Sequence, residues 1–88
     1  MSGVTVDTEA LQEAANALSK YISSINEDIA KMRDAAIDCC DNMDNDAYSQ
    51  KAIYQLAECT QKLQKAIGEA ESLRKAILRK KQEIEDSL

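Results

Sequence analysis

The chain has no proline, histidine, tryptophan or phenylalanine, and only two glycines. Each absence excludes something. Without histidine there is no Ser-His or Cys-His catalytic pair and no histidine-metal site. Without proline, nothing removes backbone donors or forces kinks, and two glycines give little backbone freedom. No stretch is apolar enough to span a membrane. Residues Met1 to Leu11 carry neither a basic region nor an apolar run, so no Sec-type signal peptide is expected. The only aromatics are three tyrosines, and the net charge is −5. That combination argues against nucleic acid as a partner.

Chemistry is equally sparse. Cys39, Cys40 and Cys59 include no CxxC pair, and a hairpin would place Cys59 roughly 13 Å along its axis from the level of the other two. A disulfide needs Cα atoms within about 7 Å, so no bridge is expected. Cys39 and Cys59 read as core-filling residues in a reducing cytosol. A calcium loop started at Asn42 would use Asp44 and Asp46. Ala47 then stands where glycine is needed and Ile53 where a bidentate glutamate is needed, so the loop is not an EF-hand. Asp44 or Asp46 reads instead as a cap for the following helix. No paired carboxylates and no glycine-rich phosphate loop occur. The expectation is a non-enzymatic protein with no cofactor and no metal.

What is present is helical material: thirteen alanines, 44% apolar and 31% charged residues. Eighty-eight residues allow one domain, and a compact version would bury only roughly 64% of its surface, so a staple or partner is needed. Asp7 is a good N-cap, Glu9 complements the helix dipole, and Val6 with Leu11 can form a hydrophobic staple. An apolar stripe then runs through Leu11, Ala15, Leu18, Ile22, Ile25, Ile29, Met32, Ala36, Cys39 and Met43 in alternating steps of four and three. That is a heptad seam. The segment Asp41-Asn42-Met43-Asp44-Asn45-Asp46 breaks it with turn-forming residues. A second stripe follows through Ile53, Leu56, Cys59 or Thr60, Leu63, Ile67, Ala70, Leu73, Ile77, Ile84 and Leu88, interrupted by Lys80 and Lys81.

The predicted architecture is all-α: an antiparallel hairpin over residues 1–88. Helix 1 spans about 8–41, the turn about 42–46, helix 2 about 47–83, and a tail 84–88. Leu18 is then expected opposite Ala70, Ile25 opposite Leu63 and Met32 opposite Ala57. The core seam comprises Leu11, Leu18, Ile22, Ile25, Ile29, Met32, Leu56, Leu63, Ile67 and Ile77. Residues 1–46 carry ten acids and three bases (−7), and residues 47–88 carry six acids and eight bases (+2), an imbalance that favours antiparallel pairing. One seam hides only one face of each helix. Ala10, Ala14, Ala17 and Tyr21 form a second line on helix 1, with Tyr54, Ala66 and Leu78 in a patchier line on helix 2. These lines suit packing on a second hairpin as a four-helix bundle. Alanine as a plain helix former is the alternative. Gly68 lies within helix 2, as a mark of close helix approach or as a tolerated surface glycine.

The turn Met43-Asp44-Asn45-Asp46-Ala47-Tyr48-Ser49 resembles the Trp-x-Gly-x-Ala-aromatic segment of the WXG (Esx-like) family of small type VII secretion proteins. Met43 stands at the tryptophan and Asn45 at the glycine, while Ala47 and Tyr48 fit directly. The opening Met1-Ser2-Gly3 followed by Asp7-Thr8-Glu9-Ala10-Leu11 is similar to that family's start of helix 1. The resemblance implies a helical hairpin that pairs as a homo- or heterodimeric bundle and is exported without a cleaved signal, or escorts larger substrates. Members often carry a Tyr-x-x-x-Asp/Glu export signal after helix 2. No tyrosine follows Tyr54 here, which implies that a partner supplies it. In these departures the chain is similar to the small helical partners of LXG toxins.

The expected function is therefore an adaptor, chaperone or co-secreted partner in bacterial type VII secretion. It would bind another WXG-like hairpin or the N-terminal helical domain of an LXG-type toxin. The partner-binding residues would be Ala10, Ala14, Ala17, Tyr21, Met43, Asn45, Tyr48 and Tyr54. No nucleic-acid binding or membrane insertion is expected. Location is cytoplasmic, with export to the extracellular space as the second expectation. The competing reading is a self-associating coiled-coil oligomerisation module with no secretion role.

Overall fold

A computed structural model describes residues 7–42 and 47–88. The protein is an all-α hairpin of two helices that pack against each other, with no strand among the described residues. Helix α1 spans Asp7–Asn42 and helix α2 spans Ala47–Asp86. Val6, the Asp7 side chain, Met43 and Asn45, with the rest of the turn, lie outside the described residues.

Helix α2 continues through Ile84-Glu85-Asp86, residues expected in a tail. Side-chain pairs one turn apart span this extension: Lys81 Nζ lies 3.5 Å from a Glu85 carboxylate oxygen, and Gln82 Nε2 donates to Asp86 Oδ1 at 2.8 Å. Ser87 then closes the helix. Its amide donates to the Glu83 carbonyl at 3.2 Å and its hydroxyl to the same carbonyl at 3.1 Å. The Leu88 amide donates to Glu85. Carbonyls that a helix end would leave without partners are satisfied locally.

The seam positions, all sheltered, keep heptad spacing on both helices, with Gln12, Ser19, Ala52, Ala66 and Leu78 half-buried beside them. On α1 the seam positions are Thr8, Leu11, Ala15, Leu18, Ile22, Ile25, Ile29, Met32, Ala36 and Cys39. On α2 they are Ser49, Ile53, Leu56, Thr60, Leu63, Ile67, Ala70, Arg74, Ile77, Lys81 and Ile84. Steps of three and four never fail on either helix. Of the alternatives Cys59 or Thr60 the structure shelters Thr60, and two expectations are corrected, Cys59 as a core-filling residue and Leu73 as a seam residue. Cys59 is exposed and Thr60 holds its place; Leu73 is exposed and Arg74 holds its place. Lys81 keeps the spacing that it was expected to break. Long basic side chains can occupy such positions because their stems pack while their heads reach water. Gly68 is exposed, and a Cβ there would meet nothing within 4 Å, so no helix approaches it closely.

Contacts divide the chain into two compact units. The first joins the start of α1, up to Ser23, to Gly68–Leu88. Its buried residues are Ala15 and Ala70, and Ser19 meets Arg74, about one helical turn beyond the Ala70 level expected opposite Leu18. The second unit is Ser24–Ile67, with Ile25, Ile29 and Ser49 buried. Here Met32 and Ala57 line one groove, the two residues expected to face each other.

Candidate interaction face

The first unit has two unlike sides. In an antiparallel helix pair, a half-turn about the normal to the pair exchanges the helices and keeps each side in place. Residues that precede a seam position on α1 therefore share a side with those that precede one on α2. This is the leading side, and residues that follow seam positions form the trailing side.

The trailing side is polar. Arg74 Nε donates to Ser19 Oγ at 3.0 Å, and Gln12 Nε2 donates to Asn16 Oδ1 at 3.0 Å. Gln12, Ser19 and Arg74 are half-buried, with Leu78 beside them in the same class. An apolar partner seated here would strip water from these groups, at a cost of roughly 1–3 kcal/mol for each left unpaired.

The leading side is apolar. Ala10, Ala14, Ala17 and Tyr21 lie on it from α1, all exposed. From α2 it gains Leu73 and Ala76, framed by Glu69 and Lys80. Tyr21 is 50% exposed and Leu73 53% exposed. Leu73 is the residue that hydropathy alone misplaces. It belongs to the seam by character but to the leading side by count, because steps of four and three from Ile67 and Ala70 land on Arg74. Spacing is the signal that could have found it.

The other expected partner-binding residues lie elsewhere. Tyr48 is 83% exposed and Tyr54 73% exposed, both on α2 in the second unit. Tyr54 borders a shallow depression with Ala47, Gln50, Lys51, Gln55 and Glu58. Two of these side chains are charged, and none of the six joins Tyr21 or Leu73 on the leading side of the first unit. The second unit also has a groove of about 310 Å³ on its trailing side, floored by Met32, Ala36, Ile53, Leu56 and Ala57 and edged by Arg33, Thr60 and Gln61. The alanines at 36 and 57 leave that space open. The expected seam residues Leu11, Leu18, Ile22, Met32, Leu56, Leu63, Ile67 and Ile77 are half-buried, and Ile25 and Ile29 are buried.

Cys39 is half-buried, Cys40 and Cys59 are exposed, and all three are free thiols. Among the described residues no cluster of acids and cysteines could hold a metal ion, and no helix is long and apolar enough to cross a membrane. In the first unit, a polar trailing side and an apolar leading side are suited to side-by-side helix association. Comparison with protein-family models, curated proteins and solved structures finds no match.

Proposed function

We infer that the protein is a non-enzymatic helical binding partner in type VII secretion, an adaptor, chaperone or co-secreted protein. It docks another helical hairpin, or the N-terminal helical domain of an LXG-type toxin, on the leading side of its first unit. The observation that carries the docking is the pairing of half-exposed Tyr21 and Leu73 with the alanine line Ala10, Ala14 and Ala17. The interior gives the physical reason. Among the described residues the buried apolar ones are Ala15, Ile25, Ile29 and Ala70, and no large side chain is fully enclosed. Fully burying an Ile contributes roughly 1.5–3 kcal/mol, and here only Ile25 and Ile29 approach that state while the other large seam residues are half-buried, a thin interior for a chain of this length. Covering the leading side supplies the missing burial.

The link to secretion rests on the turn, where Met43, Asn45, Ala47 and Tyr48 follow the WXG pattern, and on the matching start of helix 1. The protein works in the cytoplasm on this reading, with export alongside its partner. The test is co-expression with the N-terminal helical domain of an LXG-type toxin from the same genome. A stoichiometric complex is expected for the wild type, and Ala14→Glu with Ala17→Glu should reduce its yield at least about ten-fold, since a buried unpaired carboxylate costs several kcal/mol. Recovery of the protein free of the toxin domain, in self-associated form, would favour the oligomerisation module instead.

A further inference from the structure

The second unit carries a separate apolar surface on its trailing side, and it shares no residue with the leading side of the first unit. Its floor is the groove of about 310 Å³ that Ala36 and Ala57 leave open beside Met32 and Leu56. Ile37 follows Ala36 on this side and is 58% exposed, and Tyr54 follows Ile53 and is 73% exposed. Charge here is of one sign. The unit's described acids, Glu27, Asp28, Asp34, Asp38, Asp41 and Glu58, all miss the positions that follow the seam, and Arg33 is the one charged residue at those positions. Arg33 stands exposed at the edge of the groove and makes no ion pair or hydrogen bond with another described residue. The residues three and four places before and after it, Ile29, Ala30, Ala36 and Ile37, offer it no carboxylate.

We propose that this groove docks an acidic amphipathic helix of another protein. One large apolar side chain of that helix fills the gap between Ala36 and Ala57, and a carboxylate one turn away pairs with Arg33. Net charge −5 on the chain would repel an acidic partner elsewhere, so an acid-free strip with an unpaired guanidinium selects where such a helix sits. The groove runs about one turn along α1, from Met32 to Ala36, which matches the spacing between an anchor and a carboxylate three or four residues on. It is open above, so a small molecule lying in it would keep much of its surface in water, whereas sites for small molecules enclose most of the ligand. A helix laid along it also covers Ile37 and Tyr54. The site does not rest on docking in the first unit, and the two together let one hairpin hold two helical partners.

The probe is a fluorescein-labelled, stapled helical peptide with a leucine stripe flanked by glutamate, set beside a twin with lysine for glutamate. Both are titrated with the full chain and read by anisotropy. The glutamate peptide should bind about ten-fold more tightly than its twin. R33E should reverse that preference with helicity unchanged, because Arg33 is exposed. Ile37→Ser, also at an exposed position, should weaken both peptides about five-fold. Methyl NMR signals that move on binding should be those of Met32, Ala36, Ile37 and Ala57. Ala14→Glu with Ala17→Glu should bind the glutamate peptide as the wild type does, so loss of toxin-domain docking and loss of this site are told apart. Absence of binding by the glutamate peptide, equal binding of the twins, or a preference that R33E leaves in place overturns the proposal. So do NMR shifts confined to Ala14, Ala17 and Leu73, and a groove that takes decanoate but not the peptide. Growth of the protein alone into open-ended assemblies would seat a second copy in the groove and overturn it equally.

Discussion

Thr60 and Cys59 are neighbours on α2, and only one of them can face the seam. Thr60 is half-buried, and its hydroxyl donates to the Leu56 carbonyl at 2.9 Å, one turn back in its own helix. Such a bond adds no partner between helices and tends to loosen the turn that it joins. Thr60→Val keeps the shape and replaces a hydroxyl with a methyl group at a sheltered position. The expected gain is about 0.5–1 kcal/mol, read as a melting temperature raised by about 4 °C. Cys59→Ser, at an exposed position, should shift stability by no more than about 0.5 kcal/mol. The opposite ranking, with Cys59→Ser destabilising and Thr60→Val inert, would put the seam one residue earlier. Hydropathy favours the wrong one of these two residues, since cysteine is the more apolar. Spacing does choose, because the step from Leu56 to Leu63 divides as four and three at residue 60.

At the scale of the helix, the heptads are legible because nothing interrupts them. With no proline and with Gly68 the only glycine within either helix, the apolar periodicity of α1 runs unbroken from Leu11 to Cys39. Less legible is α2, where Thr60, Arg74 and Lys81 occupy seam positions that a polarity scale rejects. For that reason hydropathy places Leu73 in the interior and ends the helix before Ile84. The capping bonds of Ser87 and the pairs of Lys81 and Gln82 carry it further, and these are local interactions that a pattern of apolar residues does not register. Gly68 is where α2 has stability in reserve. Nothing lies within 4 Å of a Cβ added there, so Gly68→Ala meets no steric resistance. The substitution removes backbone freedom from the unfolded chain and should add about 1 kcal/mol. Thermal melting should rise by about 4–8 °C. A fall in melting temperature would mean that another helix closes on Gly68 in the assembled protein.

For the whole molecule, the proposed docking would make folding and association one equilibrium. Among the described residues the buried apolar ones are Ala15, Ile25, Ile29 and Ala70, while Tyr21 and Leu73 are half-exposed on the leading side. A chain whose folded form is completed by association binds its partner only when folded, so mass action adds to stability. A hundred-fold rise in protein concentration then contributes about 2.7 kcal/mol. For an assembly of two such chains this corresponds to a melting temperature higher by about 5–10 °C. A protein stable as a single hairpin would melt at the same temperature at every concentration. Ala14→Glu with Ala17→Glu separates the two cases within one variant, because both positions are exposed on α1 and neither lies in the seam. The variant should stay helical at low temperature, melt near the wild type's most dilute value, and show no dependence on concentration. If it melts as the wild type does at every concentration, the leading side takes no part in holding the molecule together, and the stability must come from within the hairpin.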